Sequence, residues 1–119
     1  MAVQHARAWH TATRVSAQQI LLFGGEDLKE IQYNDVQIIT IGEREDGADM
    51  TIREAKTSGK APCSRINHAA AFLENSVYVY GGRNENGWRL DDLHSLRVQG
   101  GEPYVWTQVI FSGPNTPGL

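Results

Sequence analysis

Four landmarks occur twice along this chain, in the same order and at nearly the same spacing. Arg7-x-x-His10 recurs as Arg65-x-x-His68, 58 residues further on. The apolar run Ile20-Leu21-Leu22-Phe23 ends in Gly24-Gly25, and 57 residues later Val77-Tyr78-Val79-Tyr80 ends in Gly81-Gly82. Asn34-Asp35-Val36 returns as Asp91-Asp92-Leu93 at the same shift of 57, with Asp35 and Asp92 each 10 residues past the second glycine. Ile52 stands 7 residues before Gly59, as Trp106 stands 7 before Gly113. That last shift is 54, because Gly42 to Thr51 is a longer stretch than its counterpart after Val98. Such order marks a repeat architecture, in which one supersecondary unit cannot bury its apolar face alone and stacks on the next.

Each repeat reads as four short strands. The first spans His10 to Val15 and His68 to Leu73, and the second is the apolar run that stops at the glycine pair. The third spans Asp35–Ile41 and Asp92–Val98, and the fourth Met50–Ala55 and Val105–Phe111. Aliphatic and β-branched residues fill these runs, and turn residues bound them. No window sustains a 3.6-residue apolar period, and glycines interrupt every candidate helix. The fold class is all-β. Ile20–Phe23 and Val77–Tyr80 are continuous apolar runs, the pattern of strands covered on both faces. The glycine pairs supply backbone torsions that other residues reach only with strain, and they leave room for a closely approaching strand. The aspartate after each loop is expected to accept hydrogen bonds from loop amides. Gly59-x-x-Pro62 and Gly113-Pro114 read as turns between repeats.

A length of 119 residues allows one small domain. Charged residues make up 21% and the formal net charge is −3 with no basic block, which argues against nucleic acid or an anionic membrane as the main partner. The apolar runs are too short to span a bilayer, and the N-terminus lacks a signal-like apolar core. One cysteine, Cys63, excludes an internal disulfide and a cysteine-based zinc cluster within the chain. The default location is cytoplasmic.

The landmarks resemble the kelch repeat: an Arg-x-x-His start, an apolar strand ending in Gly-Gly, a later Asn-Asp or Asp-Asp, and a Trp about seven residues before a Gly-Pro turn. The resemblance covers residues 7–117, divided into repeats at 7–62 and 63–117. Arg65, His68, Gly81, Gly82, Asp91, Asp92, Trp106, Gly113 and Pro114 carry it in the second repeat. The first departs at Ile52, where the family places Trp, which weakens one aromatic packing contact. A period near 57 exceeds the nominal kelch length of about 50. No Trp-Asp dipeptide occurs, so a WD40 reading fits less well. The resemblance implies β-propeller blades, two four-stranded antiparallel sheets, where whole propellers have about four to eight.

Function divides between three chemistries. His5, His10, His68 and His94 are the metal-ligand candidates, but His10 and His68 hold equivalent repeat positions, which points to architecture, and no ligand-spaced pair exists. No metal and no cofactor is expected. Some kelch-like propellers are oxidases or iron-dependent enzymes, yet Cys63 has no ligand set at useful spacing, so the chain reads as non-enzymatic. The alternatives are a kelch-type enzyme whose active site lies in other blades and a purely structural unit built to self-assemble. The third chemistry is partner binding through loops, where recognition concentrates on a rigid body of strands. The resemblance implies contact from the loops after Gly-Gly, Glu26–Gln32 and Arg83–Arg89, and from the inter-repeat segments Lys56–Arg65 and that after Ser112. Arg83 and Arg89 can fork onto carboxylates. Asn84 and Asn86 offer donors and acceptors, Trp88 is an anchor candidate, and Arg65 joins them. Trp88 has packing on its own blade as a rival role, and Arg65 a structural bond, since Arg7 repeats it. The expected function is protein or peptide recognition, as in the substrate-reading part of an adaptor. Two repeats also leave an apolar face at each end, so an isolated pair is expected to close as a cyclic homo-oligomer, a trimer by preference.

Overall fold

A computed structural model describes residues 6–110. His5, Phe111, Ser112, Gly113 and Pro114 lie outside the described residues. Nine strands and no helix occur among those described: β1 Thr11–Ser16, β2 Gln19–Phe23, β3 Val36–Arg44, β4 Gly47–Glu54, β5 Thr57–Ser58, β6 Ala69–Leu73, β7 Ser76–Arg83, β8 Arg89–Arg97 and β9 Tyr104–Val109. They form two sheets, one in the order β1-β2-β3-β4 and one in the order β5-β9-β8-β7-β6. Apart from the short β5, consecutive strands within each sheet pair antiparallel as a meander, three of the connections being two-residue turns. Ser16 pairs Gln19 across Ala17-Gln18, Leu73 pairs Ser76 across Glu74-Asn75, and Arg44 pairs Gly47 across Glu45-Asp46. That last hairpin absorbs the extra length of the first repeat.

β5 was not anticipated. Thr57 and Ser58 pair in parallel with Tyr104 and Val105, so the chain joins the outer edge of the second sheet before it crosses to β6. This contact covers part of an edge strand that would otherwise present unpaired backbone groups. Glu102 secures the crossing, since its carboxylate accepts the Lys56 amide at 2.8 Å and pairs with Arg53 on β4.

Side-chain alternation explains how the sheets stack. In the first sheet Leu21 lies opposite Ile38 and Phe23 opposite Val36; all four are buried. In the second, Val77, Leu96 and Trp106 form one cross-strand row, with Val79 beside it on the same face. Together with Ala55 and Tyr104 these make a single core cluster. The Phe23 ring lies 5.2 Å from that of Trp106. The repeat equivalents of Val77, Leu96 and Trp106 are Ile20, Ile39 and Ile52, which also form one row but on the opposite face of their sheet. The front of the second blade therefore packs on the back of the first. Ile52 consequently takes no part in the core between the sheets, and its missing indole costs that core nothing.

Two strand expectations need correction. β2 and β7 are not covered on both faces: Tyr80 is 43% exposed, because it points away from the core that holds Val77 and Val79. Nor does β7 stop at its glycines. It continues to Arg83 through an irregularity between Tyr80 and Gly82, with Gly82 opposite Leu90 and Arg83 opposite Arg89. The bulge lets the ladder absorb the positive φ of Gly81 (70°) and Gly82 (100°) without ending it.

Candidate functional site

The rim that carries the candidate residues is built by one device used twice. Arg7 Nη1 and Nη2 donate to the Asp35 carboxylate at 2.7 and 3.0 Å, and Arg65 Nη1 and Nη2 donate to Asp92 at 2.8 and 2.9 Å. Both guanidinium groups also reach the carbonyl of the first glycine, Gly24 O at 3.5 Å and Gly81 O at 3.0 Å. Two parallel bonds from a planar fork fix orientation as well as charge. The aspartates thus hold arginines rather than the loop amides expected of them. A second donor reaches each carboxylate: Gln37 Nε2 on Asp35 and His94 Nε2 near Asp92, both at 2.7 Å.

These bonds set the electrostatics. The Arg65 bond holds the Asp92 carboxyl down to about 2, against burial that favours the neutral acid and with further help from His94. Burial likewise opposes ionisation of Asp35, and the Arg7 and Gln37 bonds outweigh it, so its pKa is lowered. Both aspartates are ionised at neutral pH, and Arg65 is 0% exposed. Its Nε also donates to Cys63 O at 3.1 Å. The structure therefore places Arg65 inside the blade, with its donors occupied, and not where a partner would meet it.

The second glycine of each pair is where the incoming chain crosses. A Cβ on Gly25 would meet Ala8 O and His10 Cβ, each at 2.9 Å; one on Gly82 would meet Ile66 O at 2.6 Å and His68 Cβ at 3.0 Å. The residues before the two histidines, Trp9 (φ 67°) and Asn67 (φ 57°), both take the left-handed conformation that allows this crossing. Asn67 N bonds Trp9 O at 3.0 Å, linking the two crossings.

His68 stands at the seam between blades. Its Nε2 lies 2.8 Å from Thr11 Oγ1, and its ring meets Phe23 edge-on at 5.3 Å. Burial, aided by the Arg65 charge, pushes its pKa down to about 4. The imidazole is neutral and ties the second blade to Thr11 and Phe23 of the first. No group of three or more potential metal ligands occurs among the described residues.

The loops beyond the glycines share one skeleton. Asp27 Oδ1 accepts the amides of Lys29 and Ile31 at 2.9 and 3.0 Å; Asn84 Oδ1 accepts those of Asn86 and Trp88, both at 3.0 Å. Glu30 (φ 64°) and Gly87 (φ 80°) occupy the matching left-handed corner. Asn84 is therefore the loop's internal brace, its acceptor already used. The 57-residue shift from Asp27 to Asn84 carried that signal in the sequence.

What remains outward is Arg83, Asn86, Trp88 and Arg89. Trp88 is 71% exposed, so its own blade does not cover it. Arg83 and Arg89 are direct cross-strand partners on one face, and neither makes an ion pair among the described residues. Like charges set opposite one another oppose strand pairing, so folding alone gives no reason for them. Of the inter-repeat segment, Pro62 is buried with its carbonyl accepting Asn34 Nδ2 at 2.9 Å, while Cys63 is exposed.

Comparison with known proteins agrees with this architecture. The profile described as the KLHDC2/KLHL20/DRC7 Kelch-repeats domain matches residues 2–118. Dynein regulatory complex subunit 7 of Chlamydomonas reinhardtii is 30% identical over 115 residues, 94% of this chain and 9% of that protein. Kelch domain-containing protein 2 of Bos taurus is 37% identical over 57 residues, 48% of this chain and 13% of that protein. Acyl-CoA-binding domain-containing protein 4 of Arabidopsis thaliana is 41% identical over 54 residues, 45% of this chain and 8% of that protein. The chain thus spans a small fraction of the length of these relatives. With the Arg–Asp forks, the glycine crossings and the head-to-tail sheets all repeated, the chain belongs to the kelch-repeat family.

Proposed function

We propose that this chain is a non-catalytic segment of a kelch propeller that recognises a protein or peptide through the rim loop of its second repeat. The observation that carries the reading is the Arg83–Trp88–Arg89 cluster. A self-braced loop holds an exposed indole between two arginines that face each other, neither of them in an ion pair among the described residues. Such a surface suits a carboxylate-bearing peptide, with Trp88 as the apolar anchor and the guanidinium forks as the polar contacts. Asn86 adds donors at the edge. The family assignment supports protein–protein interaction in general, and one relative is by name a subunit of a protein complex. A cytoplasmic setting suits the reading.

The test is affinity capture of partners from cells with the parent protein, comparing wild type with Arg83→Ala/Trp88→Ala and with Ser95→Ala on β8. The loop variant is expected to lose partners that the strand variant keeps, both being folded. An unchanged partner set in the folded loop variant would overturn the assignment.

The outward faces support a second part of the reading, which is that the pair of blades is completed by further blades. One face carries Ile20, Leu22, Ile39 and Ile52, the other Tyr78, Tyr80, Leu93 and Val105. For this chain alone the partner blades would come from copies, closing a ring of three. A copy would bring Ile52 where Trp106 stands and would meet Ala69 where Thr11 stands, a weaker seam than the internal one. Light scattering over a concentration series should show the oligomer, and a folded chain that stays monomeric at high concentration would exclude it.

A further inference from the structure

The first blade gives the rim an opposite pole. There Glu26 bridges to Ala8 on one side and to Gln32 on the other; in the second blade Arg83 bridges to Ile66 and pairs with Arg89. The repeat relates Glu26 to Arg83 and Gln32 to Arg89, both at a shift of 57. Residues directly opposite in a ladder project from the same face. The two blades therefore present equivalent short rows, one with a carboxylate and an amide, the other with two guanidinium groups. Glu26 is partly exposed, and like Arg83 and Arg89 it makes no ion pair among the described residues. Opposite charges thus stand at matching positions of neighbouring blades without meeting.

Trp9 stands between the rows. It follows Ala8, the bridge partner of Glu26, and its carbonyl accepts the amide of Asn67, which follows Ile66, the bridge partner of Arg83. Its side chain is 57% exposed, and its φ of 67° is a left-handed torsion that opposes a bulky side chain. The second blade fills the same position with Asn67, a residue type that tolerates the torsion. Folding therefore gives no reason for an indole here, whereas contact with a ligand does.

Backbone bonds fix how far apart the rows lie. Glu26 adjoins Gly25, whose amide donates to Arg65 O at 3.0 Å; Arg65 adjoins Ile66, which exchanges bonds of 3.0 and 2.9 Å with Arg83. The poles are one blade apart, and stacked sheets lie about 10 Å from each other. An extended chain advances about 3.3 Å per residue, so about three residues span the gap.

We propose that the rim recognises an extended protein segment of mixed charge laid across Trp9. Its acidic residue meets Arg83 and Arg89, and its basic residue, about three positions away, meets Glu26. This rests on the reading of the second-repeat loop as a carboxylate site and adds the share of the first blade. A uniformly acidic segment is rejected, because its remaining carboxylates would face Glu26 and the exposed Glu30 beside it.

The test selects a random peptide library, displayed on phage, against the full chain and its variants, and reads the bound pools by sequencing. In peptides bound by the wild type, a basic residue about three positions from an acidic one should be about three- to fivefold more frequent than at other spacings. That is the worth of one exposed ion pair. Glu26→Gln should keep the acid and lose the preference for the base. Glu26→Arg, which copies the second blade, should exchange the base for a second acid. Arg83→Ala/Arg89→Ala should keep the base and lose the acid. Trp9→Asn, which also copies the second blade, should cut recovery by about tenfold, as loss of an aromatic anchor does. Wild-type peptides rich in acid but without the spaced base would overturn this proposal and leave the second-repeat loop as a carboxylate site. Pools without acid enrichment would overturn both. A spacing preference that survives both Glu26 variants would overturn the proposal as well, and so would full recovery by folded Trp9→Asn.

Discussion

The loop Asp27–Ile31 and the loop Asn84–Trp88 share every backbone hydrogen bond of their skeleton and almost nothing of their surface. Asp27 and Asn84 brace them identically, and a left-handed residue closes each corner. Outwardly the first presents Leu28, Lys29 and Ile31 beside Glu26 and Glu30, whereas the second presents Trp88 between Arg83 and Arg89. The difference shows which bonds make a kelch blade and which side chains are left over for recognition. The same division holds below the loops, where the Arg–Asp fork is common to both blades but only the second has its guanidinium sealed from water, Asp35 and Asp92 being alike in exposure.

That contrast in burial predicts the largest effect. Arg65→Ala strips a fully buried guanidinium from Asp92 and from Gly81 O, leaving a carboxylate with its main partner gone. The expected loss is about 2–4 kcal/mol, from the vacated buried volume and the unpaired Gly81 and Cys63 carbonyls as much as from the ion pair, since Asp92 keeps access to water and its His94 contact. Arg7→Ala breaks the same fork where both partners retain access to water, and about 1–2 kcal/mol is expected. Urea midpoints for the two variants check the ordering. Equal losses would mean that burial does not distinguish the forks.

The glycine pairs come next. Gly82→Ala must adopt φ near 100° and sets a Cβ 2.6 Å from Ile66 O, a backbone atom that cannot swing aside. Gly81→Ala meets only Leu90 O at 3.3 Å. The first should cost roughly 2–4 kcal/mol and the second about 1–2, mostly for the torsion. Thermal midpoints that fall equally would remove the distinction between crossing and torsion.

Much of this is legible in the sequence alone. The doubled Arg, Gly-Gly and Asp landmarks placed all eight meander strands to within a few residues, because periodic apolar runs and turn residues act locally. The buried role of Arg65 was readable from its recurrence as Arg7, which marks a residue of the blade rather than of the surface. What escaped depends on partners distant in sequence. Thr57-Ser58 has no strand pattern of its own and becomes a strand only because β9 presents an open edge. The row Ile20, Ile39 and Ile52 reads as core by composition, yet head-to-tail stacking turns it outward. The meeting of Trp9 with Asn67 joins the two crossings, which no local motif brings together.

His68 predicts a pH effect of intermediate size. Its pKa is about 4 in the folded chain against an ordinary 6.5, so the unfolded chain binds the proton more readily. Stability is then full above pH 6.5 and falls as pH drops toward 4, by an amount on the order of 2 kcal/mol. His68→Gln, which can still bond Thr11, should flatten this window in a pH series of denaturation midpoints. A slope that survives His68→Gln would move the effect to another group.

The smallest effect returns to the two loops. Glu30 and Gly87 hold the same corner at φ of 64° and 80°, but only glycine reaches it freely. A side chain in the left-handed region costs about 1–2 kcal/mol. Glycine relieves that cost while adding about 0.5–1 kcal/mol of chain entropy in the unfolded state. Glu30→Gly should therefore stabilise by no more than about 1 kcal/mol, and Gly87→Glu should destabilise by a similar amount. No atom lies within 4 Å of a Cβ built at Gly87, so torsion is the only penalty there and the comparison is clean. The exchange tests the stability of the skeleton only, because Gly87→Glu also puts a carboxylate next to Trp88, between Arg83 and Arg89 in the sequence. A loss of stability in Glu30→Gly would show that the side chain of Glu30 contributes something the shared skeleton does not require.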